Sequence, residues 1–159
     1  MANIPLPWAA PTVGYTSYLA AELNACANNK IVLGAAIDNE TNLCTYMDLE
    51  LYLASLDVSG QANPAVVIYL LESIDGGTHF DTGEDGVTAD VDMPAQDKII
   101  AKMGMRKNTG AEVKHLIKSM IPIPPGHWKL CPRNKTGVAF AGTLNTLYYR
   151  TYNLKAVTA

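Results

Sequence analysis

Charged residues are scarce in this sequence. They occupy 17% of its 159 positions, against roughly a quarter in an ordinary soluble domain. With 48% of residues apolar, that scarcity excludes a disordered tail and a charged coiled coil. Cysteine is scarcer still. Cys26, Cys44 and Cys131 form an odd set with no metal-ligand spacing, which excludes a disulfide-built mini-protein and reads as free thiols of a reducing compartment. Phenylalanine and tryptophan number two each, so the eight tyrosines carry most of the aromatic surface. No apolar run approaches the roughly 20 residues of a membrane span, and no membrane partner is expected. The opening Met1-Ala2-Asn3-Ile4-Pro5-Leu6-Pro7 lacks a basic segment, so no secretory leader is expected.

The length fits one compact domain with a substantial core. A net charge of −3 hides a division. Residues 31–97 hold 13 of the 15 acids and no Lys or Arg; residues 98–159 hold 11 of the 12 bases and one acid, Glu112. Either the two halves lie side by side and compensate, or an acidic face of one subunit meets a basic face of the next. The bases are scattered and the isoelectric point is near 5.5, so a nucleic-acid partner is not expected.

Patterning divides the chain into an arm and a β-body. Three prolines in residues 1–14 resist both helix and sheet, and predict an extended arm with Ile4, Leu6 and Trp8 as anchors. Residues 15–29 fit either a short helix through Tyr18, Leu19, Glu22 and Leu23 or a short strand. Strands are expected at 30–37, 44–56, 66–74, 98–105, 112–121, 128–131 and 143–153. In the second, Met47, Leu49, Leu51 and Leu53 share one face, and Asp48, Glu50 and Tyr52 share a wet one. Residues 66–74 are apolar on both faces, as a central strand is. Pro132 predicts an edge or an end for its strand. The acidic stretch 81–97 reads as an exposed loop. Seven or eight strands and no long helix predict an all-β, antiparallel jelly-roll-like sandwich over residues 15–159, with the arm at 1–14.

Chemistry has few footholds. Asp81, Asp85, Gly86 and Asp92 match a calcium loop loosely, but Gly83 and Asp92 occupy positions that want an oxygen ligand and a bidentate Glu. His79, His115 and His127 fall in separate elements with no zinc spacing. There is no nucleophile elbow, P-loop or dinucleotide fingerprint. No enzyme, cofactor or metal site is therefore expected. Tyr148, Tyr149 and Tyr152 read as strand residues or as a sugar-stacking platform. The sequons at Asn39 and Asn134 matter only in a secreted protein.

Several blocks together resemble tailed-bacteriophage virion proteins: Leu33 to Leu43, Ala65 to Gly76, Ile123 to Leu130, Arg133 to Ala141 and Asn145 to Asn153. Their order covers most of residues 30–153. The resemblance implies a head protein of the cement or decoration type, made in the host bacterial cytoplasm and carried on the capsid surface. Such a protein has a jelly-roll or related fold, often forms trimers, and takes the major capsid protein as its partner. The acidic stretch is where this sequence departs from those relatives. Ile4, Leu6, Trp8, Arg133 and Arg150 are the expected contact residues, through hot-spot anchoring by Trp8 and low ordering cost in a Pro-rich arm. A carbohydrate-binding or adhesion module on a phage head or tail is the alternative.

Overall fold

The computed structural model describes residues 14–81 and 96–154. Eight strands form there: β1 (Thr16–Leu19), β2 (Ile37–Asp38), β3 (Tyr46–Leu56), β4 (Ala65–Ser73), β5 (Ile99–Gly104), β6 (Glu112–Pro122), β7 (His127–Lys135) and β8 (Thr146–Tyr152). They make two four-stranded sheets, ordered β1-β8-β3-β6 and β2-β7-β4-β5. Every pairing is antiparallel. The pairs β1–β8, β2–β7, β3–β6 and β4–β5 are those of one long hairpin folded at the β4–β5 connection. Rolling that hairpin up adds the contacts β3–β8 and β4–β7. The result is the jelly-roll arrangement expected from the turn spacing. Among the described residues no α-helix forms; Ala21–Leu23, which follows β1 directly, is a 3-10 turn.

The period-two reading of β3 holds on its inner face. Met47, Leu49, Leu51 and Leu53 are fully buried, and they meet Val66, Ile68 and Leu70 of β4 and Trp128 and Leu130 of β7 in one core. Each such side chain contributes roughly 1.5–3 kcal/mol by leaving water. Tyr149 also points inward, edge-on to Trp128 and Tyr18 at 6.0 and 5.8 Å. β4 is buried on both faces, as expected. Its outward Val67, Tyr69 and Leu71 join Ile31, Leu33, Phe80 and Cys131 in a second apolar cluster. None of the three cysteines forms a disulfide.

Three strand-level expectations are corrected. Residues 30–37 bond to β7 through Val32 N and Gly34 N without becoming a full strand, because Pro132 has no N–H to return and Tyr18, reaching across from the other sheet, takes the N–H of Leu130. Its hydroxyl donates to Ala35 O at 2.6 Å and accepts from Leu130 N at 3.0 Å. A Cβ on Gly34 would stand 2.2 Å from that ring, so only glycine admits it. Pro132 lies inside β7, opposite Ile68 of β4, not at an edge or an end. Its carbonyl accepts from Val32 N at 3.0 Å. A strand residue's N and O point to the same side, so the missing N–H falls toward the irregular 30–34 segment and leaves the β4 ladder intact. Asp48 does not sit on a wet face: it is 2% exposed.

β6, at the edge of its sheet, reverses the usual pattern. Val113 and Ile117 are exposed while Lys114 is buried. The Lys114 ammonium donates to Arg106 O at 3.1 Å and to the Glu112 carboxylate. Inward charge on an edge strand discourages addition of a further strand.

Candidate contact surfaces

The register of β3 with β8 builds the first surface. Tyr46, Asp48 and Glu50 stand opposite Tyr152, Arg150 and Tyr148, all on the outward side. Asp48 is the hub. It accepts from Arg150 Nε and Nη2 at 2.9 and 2.7 Å, from Tyr152 Oη at 2.9 Å and from Met120 N at 2.9 Å. Met120 offers that N–H from a residue with φ of 58°, where β6 shifts register against β3 between Met47 and Leu49. Burial would raise the Asp48 carboxyl, but the bonds from Met120, Arg150 and Tyr152, with the Arg150 charge, hold it below the ordinary range. The same arrangement pushes Tyr152 up to about 12, first by burial and then by its bond to Asp48. Arg150 also lies over the Tyr15 ring at 4.7 Å.

Around this hub the face is aromatic. Tyr46 and Tyr152 stack at 6.1 Å. His115 meets Tyr52 edge-on and pairs with Glu50 at 2.5 Å. Val113, Ile117 and Met120 extend the face with exposed apolar area. Because Tyr149 faces the core, the three tyrosines of the β8 motif do not form one platform; Tyr148 and Tyr152 share this face with Tyr46 and Tyr52.

A second surface lies on the outward side of β2-β7-β4-β5. Register puts Lys102 of β5 and Arg133 of β7 on either side of Val67, with Lys135 of β7 beside Ala65. Short side chains between long ones leave a trough of about 430 Å³, closed by Asn63, Gln96, Ile99 and Tyr69. Among the described residues its lining carries three cations and no acid.

The third feature is the loop end beyond β2 and β4. Asp38, Glu40 and His127 bring one ligand atom each within 4.8 Å of one another. His127 Nδ1 lies 3.4 Å from Glu40 Oε1. The donor set is one a divalent cation accepts, and β2–β7 register places Asp38 opposite His127. Both carboxylates are more than half exposed. Alongside, Asp75 accepts from Ser73 Oγ, from His79 N and from the His79 ring. Those bonds, the two from His79 foremost, hold its carboxyl far below the usual range. Gly77, at φ of 83°, lets this loop approach the His127 ring, where a Cβ would stand 3.0 Å away.

The expected contact residues separate. Arg150 is held inside the first surface by Asp48, whereas Arg133 lines the trough. Ile4, Leu6 and Trp8 lie outside the described residues, as does the loose calcium motif beyond Asp81, which pairs with Lys98 at 2.8 Å. The sequon side chains serve the fold. Asn39 and Asn134 are 3% and 1% exposed, each donating twice to backbone carbonyls, so neither can take a glycan in the folded chain. Sequence reasoning missed Asp48, Lys102 and Lys135; their roles depend on cross-strand register, which strand periodicity alone does not carry. No protein-family model matches the chain, and neither does any curated protein.

Proposed function

We propose that this chain is a structural virion protein that binds the outside of a phage head, ties neighbouring capsomers together and acts as a homo-oligomer, a trimer by its resemblance. The observation that carries this reading is the face of the β1-β8-β3-β6 sheet, where half-buried tyrosines adjoin exposed Val113, Ile117 and Met120. Tyrosine and apolar residues at the centre of a patch are the composition of protein contact surfaces. The jelly roll supplies a stiff body to carry it. In this role Arg150 orders the face from within, and the arm through Trp8 clamps a neighbour.

Sedimentation with purified heads tests the reading. Wild-type protein co-sediments; Val113→Lys with Ile117→Lys weakens binding by at least about tenfold, the worth of one lost hot spot. Deleting residues 2–14 also weakens it while sparing the fold. Absence of wild-type binding to heads overturns the function, and undiminished binding by the lysine variant removes this face from it. The stacked Tyr46–Tyr152 pair beside Glu50 and His115 favours glycan binding as the second reading. A glycan array with no hit would exclude it.

A further inference from the structure

We infer that Asp38, Glu40 and His127 form a binding site for one divalent transition-metal ion of the zinc class, which ties the turn after β2 to the start of β7. Its existence does not depend on the contact-protein reading. One oxygen from each carboxylate and one ring nitrogen of His127 lie within 4.8 Å of one another.

The imidazole is what points to a ligand. Nδ1 of His127 is buried and has no hydrogen-bond partner, in a side chain that is 18% exposed. Buried polar atoms in that state are few in native proteins, and a bound ion is one reason for them. Glu40 Oε1 stands 3.4 Å from Nδ1, beyond the roughly 2.7–3.2 Å of an N–H···O bond. That spacing is the one expected of two ligands on a single tetrahedral ion, since bonds of about 2.0–2.2 Å set ligand atoms roughly 3.3–3.6 Å apart.

The backbone prepares the site. Asp38 Oδ1 accepts from Glu40 N at 2.8 Å and lies 3.9 Å from His127 Nε2. That bond holds the two carboxylates on one turn, and β2–β7 register sets the turn beside His127. The carboxylates are 53% and 59% exposed, so rotating their oxygens into one coordination sphere disturbs no core packing. The ring is braced from the loop after β4, where a Cβ on Gly77 would stand 3.0 Å from Cδ2. Cδ2 is on the edge of the imidazole opposite Nδ1, so the brace leaves the unpartnered nitrogen turned away from that loop.

Donor chemistry selects the cation. Carboxylates alone would suit calcium or magnesium; an imidazole nitrogen beside them favours zinc and its first-row neighbours. Two carboxylates with a neutral imidazole balance the charge of a dication. Three protein ligands leave the fourth tetrahedral position to water.

Calorimetric titration of zinc chloride into the whole chain, first dialysed against a chelator, tests this. Wild type takes up one zinc ion per chain. Asp38→Asn with Glu40→Gln binds at least about 100-fold more weakly, since loss of even a group that only supports a ligand costs about 10–100-fold. Both changes are nearly isosteric, and melting curves without metal establish that the variant is folded. With zinc, the melting midpoint rises in wild type and not in the variant. Nitrogen–proton correlation spectra of the imidazole rings locate the ion: one equivalent of zinc shifts Nδ1 of His127 and neither His79 nor His115. Absence of zinc uptake by wild type, equal affinity in the folded variant, a shift at His79 or His115 in place of His127, or a preference for calcium over zinc would each overturn the inference.

Discussion

On the β1-β8-β3-β6 sheet the outward charges are satisfied within the face; on β2-β7-β4-β5 they stand at the rims of a trough. Asp48 takes four hydrogen bonds from three residues, including a two-point grip by Arg150. Lys102 and Lys135 take none from an acid among the described residues. Both faces began as alternating strand residues. They differ because β8 supplies Arg150 directly opposite Asp48, whereas short Ala65 and Val67 separate the cations of β5 and β7. A face that closes its charges internally gains rigidity. Lys102 and Lys135, exposed and without a carboxylate partner among the described residues, stay mobile instead.

The strongest way to break this contrast is Asp48→Ala. It strands the Arg150 guanidinium, the Tyr152 hydroxyl and the Met120 N–H together. Removing one partner of a buried pair costs about 3–5 kcal/mol, or about 10 °C of melting temperature for a chain of this size. Lys102→Ala is expected to stay within about 0.5 kcal/mol, as surface changes do. Equal losses in the two melting curves would erase the distinction.

Leu71→Ala sharpens the comparison from the other side. Leu71 is fully buried on the outward face of β4, beside Phe80 and Cys131. Lys129, 2% exposed, lies over the Phe80 ring at 3.9 Å. If this cluster is a second core, denaturant titration shows a loss of about 3 kcal/mol. A loss below about 1 kcal/mol would mean the cluster collapses around the missing atoms or is only loosely packed.

Much of the fold is legible in the sequence alone. Alternation at Met47 to Leu53, double-sided apolarity at 66–74 and regular turns were enough for an antiparallel sandwich, since side-chain direction in a strand is fixed by residue parity. Parity failed at Asp48. It gives the face of a residue, not whether that face is covered, and Asp48 is covered by Arg150 and Tyr152 from 102 and 104 residues further along the chain. It failed again at 30–37, where a tyrosine hydroxyl from the opposite sheet takes the Leu130 N–H and Pro132 has none to give, so the backbone ladder is left incomplete. The charge division between the halves was plain in the sequence, but which cations share a trough was not. That required Lys102 and Arg133 to flank the same Val67.

Tyr18→Phe isolates that cross-sheet device. The change keeps the ring over Gly34 and removes the bonds to Ala35 O and Leu130 N. Leaving these backbone groups without their partner costs about 1–2 kcal/mol. Faster hydrogen exchange at Leu130 would locate the loss; an unchanged Leu130 rate would mean that water replaces the hydroxyl.

The smallest effect is the dependence on acid, and it separates Asp48 from Asp75. Both carboxyls are depressed from their ordinary value of 3.8. A depressed carboxyl contributes stability that is present above its unfolded pKa and lost as pH falls through the folded one. Wild type therefore weakens below about pH 4, in a range where ordinary carboxylates take up protons. Asp48→Asn removes the part due to the first sheet and Asp75→Asn the part due to the loop after β4. Asp48 is buried and bound to a guanidinium, so its contribution should persist in high salt. Asp75 is 42% exposed and paired with a histidine, so the ionic part of its contribution is more open to screening. Denaturant midpoints from about pH 6 to about pH 2, at two salt concentrations, measure both. An acid slope in Asp48→Asn identical to wild type would mean that the hub carboxyl titrates as it does in the unfolded chain. The contrast between a closed face and an open one would then have to rest on packing alone.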